Sequence, residues 1–160
     1  MLGISLLFIG AVLIINGIGL LNQTNNKESS PFNLLIGILV LIINLLNLYR
    51  SNTITDFFSV AGGLLFAFTY IYLAIIQWFS LKGTGLGWYC LFVAINALVF
   101  SYFSHDIRIS IMWILWSSLW FLFFISLGLG KPLKILPYYT IGIGFLTCWI
   151  PGILILTHLW

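Results

Sequence analysis

Residues 34–46 read LLIGILVLIINLL, a run without any charged residue and with only one strongly polar side chain, Asn44. Continuously apolar sequence of this kind is typical of a helix in lipid, where backbone polar groups must be satisfied within the segment. A transmembrane β-barrel would instead alternate apolar and polar residues over about ten positions. The run therefore predicts a transmembrane helix.

Five further apolar stretches accompany this one along the chain. Each has a length close to the roughly 17–25 residues that a helix needs to cross the hydrocarbon core. The predicted spans are 2–21, 33–49, 57–78, 86–104, 109–129 and 137–158. Since the remaining residues suffice only for short connections, we predict an all-α membrane protein with six transmembrane helices in a single domain over residues 1–160.

The composition of the whole chain agrees with this class. Of the 160 residues, 62% are hydrophobic and 6% are charged, and the mean hydropathy is +1.17. A soluble domain carries about 25% charged residues, a disordered chain needs low hydrophobicity, and a nucleic-acid-binding domain needs clustered basic residues. These three classes are excluded, and no nucleic-acid partner is expected.

The basic residues predict the orientation of the bundle, because cytoplasmic loops carry an excess of Lys and Arg. With the N-terminus outside, the first, third and fifth connections are cytoplasmic, and they contain four of the six basic residues: Lys27, Lys82, Lys131 and Lys134. The outer connections contain only Arg50 and Arg108, offset by Asp56 and Asp106. Both termini are therefore predicted to lie outside.

None of the six basic and three acidic residues lies inside a predicted span. Proton relays and ion-coupled transporters need intramembrane ionisable residues, and a hydrolytic or metal site needs a nucleophile–base pair or a ligand cluster. Only His105 and Asp106 come near such a site, and they lie at a membrane edge without a second metal ligand nearby. We predict no catalytic residue, no metal and no cofactor, and hence no enzyme.

Neutral polar side chains do occur within the spans. The candidates are Asn16, Gln77, Asn96, Thr147 and Trp149. Interhelical hydrogen bonds are one role for them, usually worth well under ~2 kcal/mol each. The other role is to line a pathway for a neutral polar solute, which such groups can bind without attracting ions. The sequence leaves both roles open.

Two aromatic stripes are more specific. Trp113, Trp116 and Trp120 stand at i, i+3 and i+7 in the fifth span, and Phe66 and Tyr70 stand at i and i+4 in the third. Each set lies on one helical face. Packing in the bundle core explains such stripes. The alternative is a narrow slot between flat rings, which admits a thin planar solute and offers a hydrated ion no replacement for its water.

Six motifs follow one another in order along the chain. They are MLGISLL (1–7), Ile15-Asn16-Gly17, GLLFAFTYIYLA (63–74), WYCLFVAIN (88–96), MWILWSSLW (112–120) and LTCWIP (146–151). Together they resemble the UreI/AmiS family of bacterial urea and amide channels. The resemblance implies a six-helix protein of the bacterial cytoplasmic (inner) membrane with both termini outside. It also implies a hexameric ring, with one pore in each protomer and lipid in the central hole.

The resemblance further implies passive permeation of urea or a short aliphatic amide, with a functional link to urease or amidase. The pore-lining positions that it implies are Leu2, Leu6, Phe66, Tyr70, Trp113, Trp116, Leu119 and Trp120. Three alternatives stay open: an amide transporter accompanying an amidase, a non-conducting assembly or sensor subunit, and a small membrane enzyme.

The chain also departs from the acid-gated urea channels that it resembles. Ile109 stands where they carry a further Trp, Ile143 stands where they carry a membrane-embedded Glu, and the loop over residues 50–56 is short. His105 and His158 match histidines of the gated members and are candidates for residual pH sensing, since histidine titrates near pH 6.5. We therefore predict a pore that is open at neutral pH.

Urea uptake into vesicles that contain the protein should change less than about two-fold between pH 7 and pH 5, because the loop partners of the two histidines are mostly missing. Protein-free vesicles give the background rate at each pH. A several-fold rise on acidification would contradict the prediction.

Overall fold

Six helical spans account for most of the chain. The computed structural model describes residues 1–160 and contains seven α-helices and two π-helical segments. The helices are α1 (Leu2–Leu20), α2 (Asn26–Arg50), α3 (Ile54–Phe79), α4 (Thr84–Phe103), α5 (Ile107–Phe123), α6 (Leu136–Ile143) and α7 (Ile150–Leu156). The π-helical segment Phe124–Gly128 extends α5, and Gly144–Trp149 joins α6 to α7 in one sixth span. The predicted all-α architecture with six membrane-spanning helices is confirmed.

The second helix begins well before the predicted span. Residues 25–31 have the composition of a turn, yet α2 starts at Asn26 and includes Pro31. The Asn25 side chain accepts a hydrogen bond from the Lys27 backbone N–H at 3.0 Å, and Glu28 accepts one from the Asn25 N–H at 3.2 Å. This capping box satisfies the free N–H groups of the first turn and starts the helix at a polar segment.

Short connections make successive spans antiparallel, so helix ends gather at two faces of the bundle. We call the face that carries both chain termini the terminal face. The odd-numbered spans all run away from it: α1, α3 and α5. The closest helix pairings are α2 with α3, α4 with α5, and α1 with the sixth span.

Glycine allows α1 and the sixth span to touch backbone to backbone. A Cβ atom on Gly10 would lie 2.6 Å from the backbone nitrogen of Trp149 and 2.9 Å from the Gly144 carbonyl oxygen. A Cβ atom on Gly144 would in turn lie 2.8 Å from the Leu13 Cβ. Small residues are the usual means of close helix approach in lipid, and here they hold the first span against the last.

We expect Gly10→Ala to destabilise the fold, because the added methyl group would collide with backbone that has no side chain to move aside. Overpacking of this kind costs about 1–3 kcal/mol, and each kcal/mol lowers Tm by roughly 2–4 °C in a chain of this size. Thermal unfolding of the purified protein in detergent measures the shift.

Gly142→Ala is the matched control within the sixth span, since a Cβ atom there would meet nothing within 4 Å. It should leave Tm unchanged or raise it slightly, because alanine is the better helix former. An equal loss in both variants would show that close packing at Gly10 is not the cause.

Candidate solute pathway

A vestibule of about 500 Å³ opens between the helices at the terminal face. Its lining is polar near the helix ends, where Arg50, Asp56 and His105 contribute, and apolar at mid-span. Among the predicted pore residues it contains Leu2, Leu6, Phe66, Trp113 and Trp116. Leu6 is almost completely buried, whereas Leu2 is half exposed at the end of α1.

A second and smaller space, the inner cavity, has a volume of about 50 Å³. That is room for a few water-sized groups. Its lining is largely apolar and contains the remaining predicted pore residues Tyr70, Leu119 and Trp120, together with Asn16. The predictions did not include Leu13, Leu73, Leu86, Cys90, Phe123 and Leu127, which line the same space and look like ordinary core residues in the sequence.

The two spaces follow one another along the bundle axis. In α1 the lining passes from residues 2–9 in the vestibule to residues 13–16 in the inner cavity. In α3 and α5 it passes in the same direction, and Phe66 and Trp116 line both spaces. Because these helices all run away from the terminal face, the two spaces form a candidate pathway through the bundle with Phe66 and Trp116 as its partition.

The partition is a cluster of aromatic rings in which the two predicted stripes face each other. The Phe66 ring centroid lies 5.8 Å from that of Trp113, 5.0 Å from Trp116 and 4.6 Å from Trp120. The Phe66 and Trp116 rings meet edge to face at 87°, a favourable geometry for aromatic pairs. One phenylalanine of α3 therefore contacts all three indoles of α5.

Trp113 packs against Phe100 and Gly62, which were not among the predicted pore residues. Phe100 stacks on it at 4.7 Å with an interplanar angle of 22°. A Cβ atom on Gly62 would lie 2.9 Å from the Trp113 ring. Gly62 therefore makes room for this indole.

Some polar side chains of the pathway are hydrogen-bonded within the protein, and others are not. The Trp116 indole N–H donates to Thr147 Oγ1 at 2.8 Å, and that hydroxyl donates to the Ile143 carbonyl at 2.6 Å. No buried side-chain nitrogen or oxygen lacks a partner. The Tyr70 hydroxyl and the Trp120 N–H make no hydrogen bond within the protein, and both residues line the inner cavity.

The other polar candidates lie in different places. Asn16 lines the inner cavity. Asn33 is hydrogen-bonded to both Asn16 and Gln77, and so connects these two side chains. Asn96 donates to the Phe92 carbonyl of its own helix at 2.8 Å. Trp149 is 41% exposed and packs edge to face against Phe145. Neither Asn96 nor Trp149 lines the vestibule or the inner cavity.

The two histidines occupy different sites at the terminal face. His105 lines the vestibule, whereas His158 follows the end of α7 and lines neither cavity. The residue next to His105, Asp106, forms an ion pair with Arg108 at 2.7 Å. The Arg108 guanidinium also lies over the Trp160 ring, 4.4 Å from its centroid. This cation–π contact ties the end of the chain to the start of α5.

Six apolar spans around an axial pathway without charge in its aromatic part define a multi-pass membrane transport protein. Residues 1–159 match the family described as AmiS/UreI family transporter, and the chain belongs to that family. The resemblance noted in the sequence is thereby confirmed. The family is one of transporters, which also confirms the predictions of a non-enzymatic protein and of a multi-pass location in the bacterial inner membrane.

Individual relatives agree with this membership. The chain is 36% identical to a protein of Rhodococcus erythropolis named as the transporter AmiS2, over 96% of this chain and 78% of the relative. It is 34% identical to the acid-activated urea channel of Helicobacter pylori (strain ATCC 700392 / 26695), over the full length of both chains. The crystal structure of the H. pylori urea channel superposes with a TM-score of 0.90 at 35% identity, covering 100% of this chain and 99% of that one.

The Asp106–Arg108 ion pair at the terminal face affects how stability depends on pH. Hydrogen bonds from Arg108 lower the pKa of Asp106 from its ordinary 3.8 to about 2. A lowered pKa means that the stability contributed by the ionised carboxylate is fully present above about pH 4 and is lost as the pH falls through about 2. The Tm difference between the parent and Asp106→Asn should therefore be the same at pH 7 and pH 5.

Exposure of both partners keeps this Tm difference small, because solvent screens surface ion pairs. The comparison is best repeated in a His105→Gln background, which removes the neighbouring imidazole. A difference that vanishes between pH 7 and pH 5 in that background would show that Asp106 is not held ionised by Arg108.

Proposed function

We propose that this protein is a passive channel for urea or short-chain aliphatic amides across the bacterial cytoplasmic membrane. The observation that carries the proposal is the axial pair of cavities separated by the Phe66–Trp116 partition. Such a partition suits a flat molecule that slides between ring faces. It does not suit an ion, because aromatic walls replace none of the water that an ion would lose.

Each part of the pathway has a role in permeation. A solute enters the vestibule and sheds water beside Leu2 and Leu6. It passes edgewise between Phe66 and the indoles, through side-chain motions that occur on fast timescales. In the inner cavity the free Tyr70 hydroxyl and Trp120 N–H serve as hydrogen-bond partners for its polar atoms. A small number of such bonds keeps binding weak enough for the solute to leave.

The candidate solutes differ little in shape. Urea and acetamide are both planar, neutral and small, so the slot admits either. Similarity to the H. pylori urea channel supports urea. Similarity to AmiS2 and to a Mycolicibacterium smegmatis protein named as a transporter of amidate substrates, 35% identical over 99% of this chain, supports an amide. A channel serving an amidase is therefore the second candidate function, beside one that serves a urease.

The assembly is proposed as a homohexamer in lipid with one pore in each protomer and both termini outside. Large apolar side chains are exposed on many helix faces, including Phe92, Ile95, Leu98 and Phe121. Such surfaces need lipid or neighbouring subunits to cover them. The pathway itself lies within a single chain, so the proposed ring is not needed to form a pore.

Flux measurements test the channel directly. Stopped-flow shrinkage of proteoliposomes in urea, acetamide and mannitol should show rapid entry of the first two solutes and exclusion of mannitol. A non-conducting subunit would leave all three rates at the level of protein-free liposomes. The ratio of urea to acetamide permeability then identifies the preferred solute.

Tyr70→Phe removes only the free hydroxyl from the inner cavity. A lost hydrogen bond is worth about 0.5–1.5 kcal/mol, so urea permeability should change about two- to ten-fold in the same assay. Tyr72→Phe is the matched control on the same helix, because Tyr72 lies on the exposed side of α3 and lines neither cavity.

Trp120→Ala should change solute flux as well and weaken the exclusion of mannitol, because it removes one wall of the slot. Size-exclusion chromatography of each variant checks that the assembly is intact. Parental flux in both Tyr70→Phe and Trp120→Ala would rule out the slot as the selective element.

A further inference from the structure

Three amide side chains from three helices meet beside the inner cavity: Asn16 of α1, Asn33 of α2 and Gln77 of α3. Asn16 Nδ2 donates to Asn33 Oδ1 at 2.9 Å, and Asn33 Nδ2 donates to Asn16 Oδ1 at 2.8 Å. Asn33 is completely buried. The two asparagines thus form a reciprocal amide pair, and Asn33 has no access to either cavity.

A backbone carbonyl determines which way this pair is oriented. Asn33 Nδ2 lies 3.1 Å from the Ser29 carbonyl oxygen and 3.0 Å from Gln77 Oε1. The Ser29 carbonyl can only accept a hydrogen bond, so the Asn33 nitrogen must point toward it. The reciprocal pair then fixes the positions of the nitrogen and the oxygen of Asn16. The orientation of a neutral amide is assigned from its partners, and here the Ser29 carbonyl favours this one; the Asn33 N–H that Asn16 does not use is shared between Ser29 and Gln77.

The pair leaves part of Asn16 unused. An asparagine amide has two N–H donors and two acceptor lone pairs, and the bonds to Asn33 use one of each. Asn16 lines the inner cavity. One N–H and one lone pair therefore remain for a solute, in an orientation set by Asn33. These two groups lie on opposite sides of the amide, so a solute meets one of them: the N–H can donate to its C=O, or the oxygen can accept from its N–H.

We propose that Asn16 is a specificity-determining residue for such solutes and that Asn33 is a positioning residue that acts through it. The inference rests on the proposed channel function and deepens it. It assigns the preference for a solute with a strong C=O acceptor and N–H donors to one side chain of the inner cavity. Gln77 and the Ser29 carbonyl complete the support by holding Asn33.

The test compares urea with thiourea, which has the same planar shape and N–H groups but a weaker acceptor. Asn16→Leu should lower urea permeability about two- to ten-fold, the loss expected for one hydrogen bond. Thiourea permeability should fall less, so the urea-to-thiourea ratio should move toward one. Asn33→Leu should shift the ratio in the same direction, although its side chain never meets the solute.

The double variant separates positioning from packing. If Asn33 acts through Asn16, then Asn33→Leu should have no further effect on the ratio in the Asn16→Leu background. Replacing both partners of a buried pair by apolar groups is also the change that the fold tolerates best. The double variant therefore remains informative if Asn33→Leu alone fails to fold. Asn96→Leu is the matched control, since Asn96 bonds only its own helix.

Failure of the proposed function, of the role of Asn16 and of the role of Asn33 would each give a different flux result. A parent protein that conducts neither solute overturns the proposed function. A conducting parent whose urea-to-thiourea ratio is unchanged in Asn16→Leu overturns the role of Asn16 alone. Additive shifts of the ratio in the double variant would overturn the positioning role of Asn33 and leave that of Asn16 standing.

Discussion

Hydrocarbon offers no hydrogen-bond partners, so each polar group in the six spans must find one within the protein or face a cavity that water can enter. Serine, threonine and asparagine side chains meet this constraint by bonding the carbonyl one turn back, as in Thr69 to Leu65 and Thr140 to Leu136. No buried polar side-chain atom is left unpaired. Among the residues with polar groups that make no hydrogen bond within the protein, Tyr70 and Trp120 line the inner cavity, whereas Ser5 and Trp113 line the vestibule.

The contact between the first and last spans also provides a hydrogen-bond partner for a buried indole. The backbones of α1 and the sixth span touch at Gly10 and Gly144, which places Thr147 where it accepts the Trp116 indole N–H. The sixth span thereby orients a ring of the partition, although none of its residues lines the vestibule or the inner cavity. The hydroxyl of Thr147 in the sixth span thus fixes the indole of Trp116 in the fifth.

The aromatic part of the pathway contains no charged side chain. A charge within the partition would bind ions and would need a paired partner in a low-dielectric surrounding. Aromatic faces and neutral amides present weak, directional hydrogen bonds instead. The charged residues are confined to the helix ends, where Asp106, Arg108 and Trp160 hold the chain end against α5. Membrane class and the proposed preference for a neutral solute therefore rest on a single distribution of charge.

Much of this architecture was predictable from local sequence. Span number, the all-helical fold and the shared face of Trp113, Trp116 and Trp120 depend on hydrophobic run length and on the 3.6-residue period, which are properties of short segments. The second span was predicted to begin at residue 33, whereas α2 begins at Asn26, because a capping box starts the helix within a segment of turn-like composition.

The roles of the polar residues depended on the tertiary structure. Asn16 and Asn96 have similar local sequences, yet one lines the inner cavity and the other bonds its own helix away from it. Asn33 orients Asn16 only because α1 and α2 meet there. Hydrophobic runs specify that a helix forms, whereas contacts between distant segments set its rotation and its neighbours, and those decide which side chains a solute can reach.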